Sequence, residues 1–164
     1  MDKLDLVVDQ WAKEKPHLDT SAMQLIGRVI HLSKHYESHI ALCHKAYNLT
    51  LGEFDVLATL LRSGNGYCLT PSQLINSLML TSGAMTNRLD KLEMKGLIER
   101  VHSKEDRRSI SVSLSKKGTV LINEVIEEHV KVQQALVSSL AETDKASLNQ
   151  ALKTLLAPFE QSLR

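Results

Sequence analysis

Residues 69–96 read LTPSQLINSLMLTSGAMTNRLDKLEMKG, and two helices can be drawn through them from their caps alone. Thr70 stands at an N-cap, Pro71 at the first helical position, where its missing N–H is not needed, and Gln73 completes a capping box. The helix they open is barely two turns long. Thr81-Ser82-Gly83-Ala84 then restarts the chain, Met85, Leu89 and Leu92 form an apolar stripe, and Gly96 stops it at the C-cap. A short helix, a turn and a second helix are therefore predicted.

Downstream the period changes from 3.6 to 2. Ile98 and Val101 lead into the polar run His102 to Arg107, after which Ser109-Ile110-Ser111-Val112-Ser113-Leu114 alternates strictly, as one strand of a hairpin with a charged tip does. Ser115 caps a helical region carrying Val120, Ile122, Val125, Ile126, Val130, Leu136 and Leu140, and Thr143 restarts a last helix through Leu148, Leu152, Leu155 and Leu156. Upstream, Thr50-Leu51-Gly52-Glu53 is a second capping box, followed by Phe54, Leu57, Ala58 and Leu61 until Gly64-Asn65-Gly66 breaks the helix. Before it, Ala22, Leu25, Val29, Leu32, Tyr36 and Ile40 recur at three-or-four spacing over residues 21–47, one long amphipathic helix. The fold class is mainly α with a small β-hairpin wing.

Composition agrees and narrows the functions. The 164 residues are 43% hydrophobic and 24% charged but only 4% aromatic, which suits helix-on-helix packing in one compact unit. The net charge of +1 hides an asymmetry: residues 81–118 hold nine Lys and Arg against five acids, while the flanking stretches are neutral or slightly acidic. Concentrated Lys and Arg displace the counterions condensed on phosphates, so this stretch is a candidate nucleic-acid surface; the same charge would also suit a solvated face. Enzyme signatures are missing, with no phosphate-cradling Gly-rich loop, G-x-S-x-G or H-E-x-x-H. No cofactor is implied. Two cysteines, Cys43 and Cys68, make no disulfide framework, and no signal peptide or membrane span is evident, so a cytoplasmic location is expected.

Short helix, turn, second helix and basic hairpin is the order of a winged helix-turn-helix. On a helical wheel, Met85, Leu89 and Leu92 of the second helix share one side, while Gly83, Asn87, Asp90, Lys91 and Met94 lie opposite. Asn87 suits an adenine edge and Lys91 a phosphate or guanine; Ser82 and Thr86 suit phosphate oxygens near the helix start, where Gly83 permits close approach. Ser72 and Gln73, at the start of the first helix, and Arg107 and Arg108, in the hairpin, complete the set of DNA-contact candidates.

Over residues 49–118, and more loosely beyond, the sequence resembles the MarR family of bacterial winged-helix repressors. The resemblance is carried by Gly52-Glu53-Phe54-Asp55-Val56-Leu57, Leu69-Thr70-Pro71-Ser72-Gln73-Leu74, Thr81 to Leu92, Gly96-Leu97-Ile98-Glu99-Arg100 and Asp106-Arg107-Arg108. It implies a homodimer on double-stranded DNA, with residues 1–48 as N-terminal helices for dimerisation and a ligand pocket. Residues 49–118 would be the DNA-binding domain and 119–164 the C-terminal dimerisation helices. It also implies that Arg108 is the wing arginine entering the minor groove and that Asp106 helps to hold the wing. Two-fold symmetry then predicts a pseudo-palindromic operator with half-sites about 10 base pairs apart.

Within the family, Trp11, Asp55 and Arg88 make the chain similar to the urate-responsive branch, in which a Trp, an Asp and an Arg at these motif positions line a ligand pocket. The wheel puts Arg88 beside Met85 and Asp55 just off its own apolar stripe, so both charges are expected half-buried and seeking a partner. An anionic aromatic ligand, urate or a phenolic carboxylate, would stack on Trp11 and engage Arg88; the alternative is a fixed Asp55–Arg88 ion pair with Trp11 as packing. His31, His35, His39 and Cys43 recur every four residues but drift around their helix, as surface and interface side chains do, and no metal site is assigned. Oxidation sensing at Cys43 or Cys68, and a helical adaptor that binds no DNA, are the competing functions.

Overall fold

The computed structural model describes residues 2–64, 66–102 and 110–161. Among the described residues, seven helices and three short strands follow in the order α1 (Lys3–Glu14), α2 (Ser21–Ala46), α3 (Leu51–Arg62), β1 (Cys68–Leu69), α4 (Pro71–Leu78), α5 (Ser82–Met94), β2 (Ile98–His102), β3 (Ile110–Leu114), α6 (Lys116–Leu136) and α7 (Glu142–Gln161). The caps dictate these boundaries. Thr50, Thr70, Thr81 and Ser115 accept N–H bonds from Glu53, Gln73, Ala84 and Gly118, each satisfying a donor that a helix start leaves free. The last helix opens at Glu142, one residue before Thr143.

The wing is broader than the predicted hairpin. β2 and β3 pair antiparallel with Ile98 opposite Leu114 and Arg100 opposite Val112, and β1 adds to the other edge of β3, with Cys68 opposite Ser113. Two residues are too few for a period-2 signal, so β1 is visible only through its pairing. The residues between the two hairpin strands, 103–109, lie outside the described set, and Asp106, Arg107 and Arg108 with them.

Leu57, Leu60, Leu74, Met85, Leu92, Val112, Ile122 and Val125 are fully buried and bring α3, α4, α5, β3 and the start of α6 onto one core. At roughly 1.5–3 kcal/mol per buried aliphatic side chain, this cluster holds the helix-turn-helix in place. Glu53 adds a polar tie. Burial pushes its carboxyl up, but Lys95, 2.8 Å away, and the Thr50 N–H outweigh that and hold it below the usual glutamate range. Lys95 also donates to the Asn48 carbonyl, so the end of α5 is pinned to the start of α3.

Outside this core α2 packs against α1 and α6, but much apolar helix surface stays uncovered. α1 lies on the first half of α2, where Leu4 approaches Gly27 closely and Arg28 bonds Asp2 and Asp5. The apolar stripe on α2 is present but largely uncovered: Leu25, Val29 and Leu32 are exposed, and only Tyr36 and Ile40 are half-buried. α7 makes no extended packing contact with another described element of its own chain, and its Leu148, Leu155, Leu156 and Phe159 face solvent. No helix among the described residues is long and apolar enough to cross a membrane.

Candidate nucleic-acid interface and effector site

Met85, Leu89 and Leu92 are buried, so the opposite face of α5 is presented outward, as the wheel requires. Ser82, Gly83, Thr86, Asn87, Asp90, Lys91 and Met94 are all exposed. They are not equally available. The Thr86 hydroxyl donates to the Ser82 carbonyl at 3.0 Å, and Asp90 is engaged by Arg100 of β2, which also reaches Glu93 at 3.4 Å. Asn87 and Lys91 make no side-chain bond among the described residues and are free to meet a base edge or a phosphate. Ser72 and Gln73 are exposed at the start of α4, although the Gln73 carbonyl oxygen accepts the Thr70 N–H at 2.8 Å, leaving only its amide N–H groups free. The Arg100 bonds fix the tilt of α5 against the wing. This strand-to-helix tie was not foreseen, because Arg100 read only as part of a motif.

Asp55 and Arg88 are each half-buried, as expected. They form no ion pair within 4 Å, so the fixed-pair alternative is not what the structure shows. Burial raises the Asp55 carboxyl above the usual aspartate range, and Arg88, His129 and Arg62 partly counter it. Arg88 instead lies across the first turn of α3: a Cβ added at Gly52 would fall 2.5 Å from its Cζ and 2.6 Å from its Nε. A helix start carries partial positive charge, to which a guanidinium there adds its own. Gly52 is what gives Arg88 this room.

Trp11 is not brought to them within one chain. It is 39% exposed near the end of α1, beside the start of α2, whereas α3 meets α2 at His44, and the 23 residues between cover about 35 Å of helix axis.

Behind Asp55 stands a cluster the sequence did not reveal. His44 is fully buried, stacks on Phe54 with centroids 4.0 Å apart, and has its Nε2 3.1 Å from His129 Nδ1; its own Nδ1 is buried without a partner among the described residues. Burial and the adjacent His129 push the His44 imidazole down to about 4. The His129 ring is lowered as well, by its burial. A stripe reading of α2 could have flagged His44 as an inward position, but its partner lies 85 residues away.

His31, His35 and His39 are exposed, and no group of three or more metal-ligating side chains occurs among the described residues. Cys43 is partly buried, with its thiol raised by burial and by Glu128, the opposite of what a reactive thiolate needs.

The sequence profile of the MarR family matches residues 49–110. Across 157 residues the chain is 38% identical to the HTH-type transcriptional regulator PecS of Dickeya dadantii, covering 96% of this chain and 92% of PecS. The fold matches that of a cysteine-to-serine mutant of Escherichia coli MarR solved in complex with operator DNA, with a TM-score of 0.70, 26% identity and coverage of 89% of this chain and 97% of that one. AbsC of Streptomyces coelicolor, at 20% identity and a TM-score of 0.77 over 88% of this chain and 99% of AbsC, shares the fold. The chain is thus a DNA-binding transcriptional regulator of the MarR family and not an enzyme.

Proposed function

We propose that the protein acts as a homodimer on a pseudo-palindromic operator and is released from it by a small anionic aromatic ligand, so that it works as a repressor. The observation that carries the DNA half is the outward face of α5, on which Asn87 and Lys91 stand clear of their own chain among the described residues. Dimerisation is supported by the uncovered apolar faces of α1, α2 and α7, which a second copy would bury. Sedimentation at micromolar concentration is expected to give twice the chain mass; a monomer would remove the two-fold operator from the account.

The ligand half rests on Arg88, a half-buried guanidinium beside a helix start with no carboxylate in contact among the described residues. An anionic oxygen of urate or a phenolic carboxylate would be held by Arg88 through a charge-assisted bond, next to the free N–H groups of α3. Drawing Arg88 towards α3, with Asp55 close by, would shift α5 out of the orientation that fits DNA, and the ligand would thereby favour the released state. Trp11, distant within its own chain, contributes only if the second protomer delivers it.

Gly52→Ala tests the site without deleting its charge. The new Cβ displaces the flexible end of Arg88 rather than backbone, and Ala is the better helix former, so stability should change by less than about 1 kcal/mol. Urate affinity should nonetheless fall about as far as in Arg88→Ala, measured by calorimetry. Unchanged urate affinity in both variants would remove Arg88 from ligand binding.

A further inference from the structure

Among the described residues the two most exposed large hydrophobic side chains are both methionines, Met94 at 80% and Met79 at 76%. They flank α5: Met79 ends α4 in the left-handed region at φ 51°, just before the turn into α5, and Met94 is the last residue of α5 itself. Met85, on the inward face of the same helix, is 1% exposed. Packing therefore asks nothing of Met94, and its thioether stands open to small solutes.

Met94 shares the outward face of α5 with Asn87 and Lys91. Lys91 precedes it by three residues, the spacing at which side chains of one helix meet, and the Lys91 ammonium makes no bond among the described residues. Thioether sulfur is a weak acceptor and leaves that ammonium free for a phosphate. Oxidation would change this, because a sulfoxide is polar and its oxygen is a strong acceptor.

The structure assigns Met94 as a modification site, at which a hydroperoxide converts the thioether to the sulfoxide and the new oxygen draws the Lys91 ammonium off the DNA backbone. With hydrogen peroxide, a sulfur lone pair attacks one peroxide oxygen and the O–O bond breaks. The departing hydroxide takes the proton from the transferred oxygen and leaves as water, so sulfur loses two electrons and the peroxide gains them. No thiolate is needed. Neither cysteine offers as open a target, since both are partly buried and the Cys43 thiol is raised by burial and by Glu128. The hold on DNA would then loosen under oxidant and recover only when the sulfoxide is reduced. The inference rests on the reading of α5 as the DNA face and is independent of the effector site.

Full-length protein treated with hydrogen peroxide, and then with dithiothreitol to return reversibly oxidised thiols, tests this by peptide mass mapping and by anisotropy on the duplex upstream of its gene. Met79 and Met94 should each gain one oxygen well before Met85. Affinity for the duplex should fall at least about threefold, with a salt slope shallower by about 1 for each Lys91 withdrawn. Methionine sulfoxide reductases A and B together should restore both. Met94→Leu keeps the size and the helix propensity but has no sulfur, so it should hold its affinity through peroxide, while Met79→Leu stays sensitive. In Lys91→Ala, oxidation should take nothing further. Equal losses in oxidised Met94→Leu and oxidised wild type, recovery of wild type with dithiothreitol alone, oxidation of Met85 ahead of Met94, or a further loss on oxidising Lys91→Ala would each overturn the assignment. Untreated Lys91→Ala with the wild-type slope fails the reading of α5 and takes this inference with it. A lowered slope there, with wild-type affinity unmoved by peroxide, fails this inference alone.

Discussion

Gly118→Ala is expected to destabilise the protein by about 3 kcal/mol or more, the largest loss from any single methyl group added to this structure. An added Cβ would overlap the carbonyl oxygen of Leu97 and lie 2.9 Å from its carbonyl carbon. Both are backbone atoms at the entry to β2, so no side chain can swing away. Relief requires α6 to lift off the sheet, and the same place is fixed by polar bonds: the Ser115 hydroxyl donates to the Gly96 carbonyl at 2.7 Å and accepts the Gly118 N–H at 2.9 Å. Lifting α6 would also withdraw Ile122 and Val125 from the core. Urea unfolding of Gly118→Ala against wild type checks this, with Gly83→Ala, where nothing lies within 4 Å of an added Cβ, as the control. A Gly118→Ala midpoint equal to wild type would mean that α6 does not sit this close to the sheet.

The second large effect is a loss of stability in mild acid. His44 is depressed to about 4 in the fold by its burial and by His129, while an unfolded histidine titrates near 6.5. A depressed group binds fewer protons folded than unfolded, so its contribution is complete above pH 6.5 and is lost as pH falls towards 4. For His44 alone the full loss is about 3 kcal/mol. His129 adds to it in the same direction, its ring lowered by burial although Asp55 opposes the shift. The groups facing the pair, Phe54 by stacking and Asp55 by charge, place the effect where α2, α3 and α6 meet. Unfolding free energies at pH 7.5, 6 and 5 should fall more steeply for wild type than for His44→Phe, which keeps a ring against Phe54 but cannot be protonated. Parallel profiles would show that His44 is not held neutral by the fold.

Much of the helical frame was legible because it is set locally. Thr50, Thr70, Thr81 and Ser115 each cap where their hydroxyl and the residues after them say, and Met85, Leu89 and Leu92 turn inward because they share a side of one helix. What stayed hidden depends on distance in the chain. Glu53 was recognised as half of a capping box but not as the partner of Lys95, 42 residues on. Gly118 carries no turn signal; its need arises from a carbonyl 21 residues earlier. The stripe on α2 is apolar as its spacing predicts, yet Leu25, Val29 and Leu32 are exposed in the single chain. Wheels of their own helices put Asp55 and Arg88 each half-buried, as they are, while Trp11, joined to them only through family resemblance, had no geometric constraint and lies elsewhere in the chain.

The central claim is that the outward face of α5 reads duplex DNA. Fluorescence anisotropy of the duplex upstream of the protein's own gene, titrated at several salt concentrations with wild type and Lys91→Ala, tests it most directly. The account predicts tight binding whose log affinity falls steeply with log salt, and a slope shallower by about 1 for each Lys91 removed. A duplex bound weakly and with no salt dependence, or a slope untouched by Lys91→Ala, would contradict it.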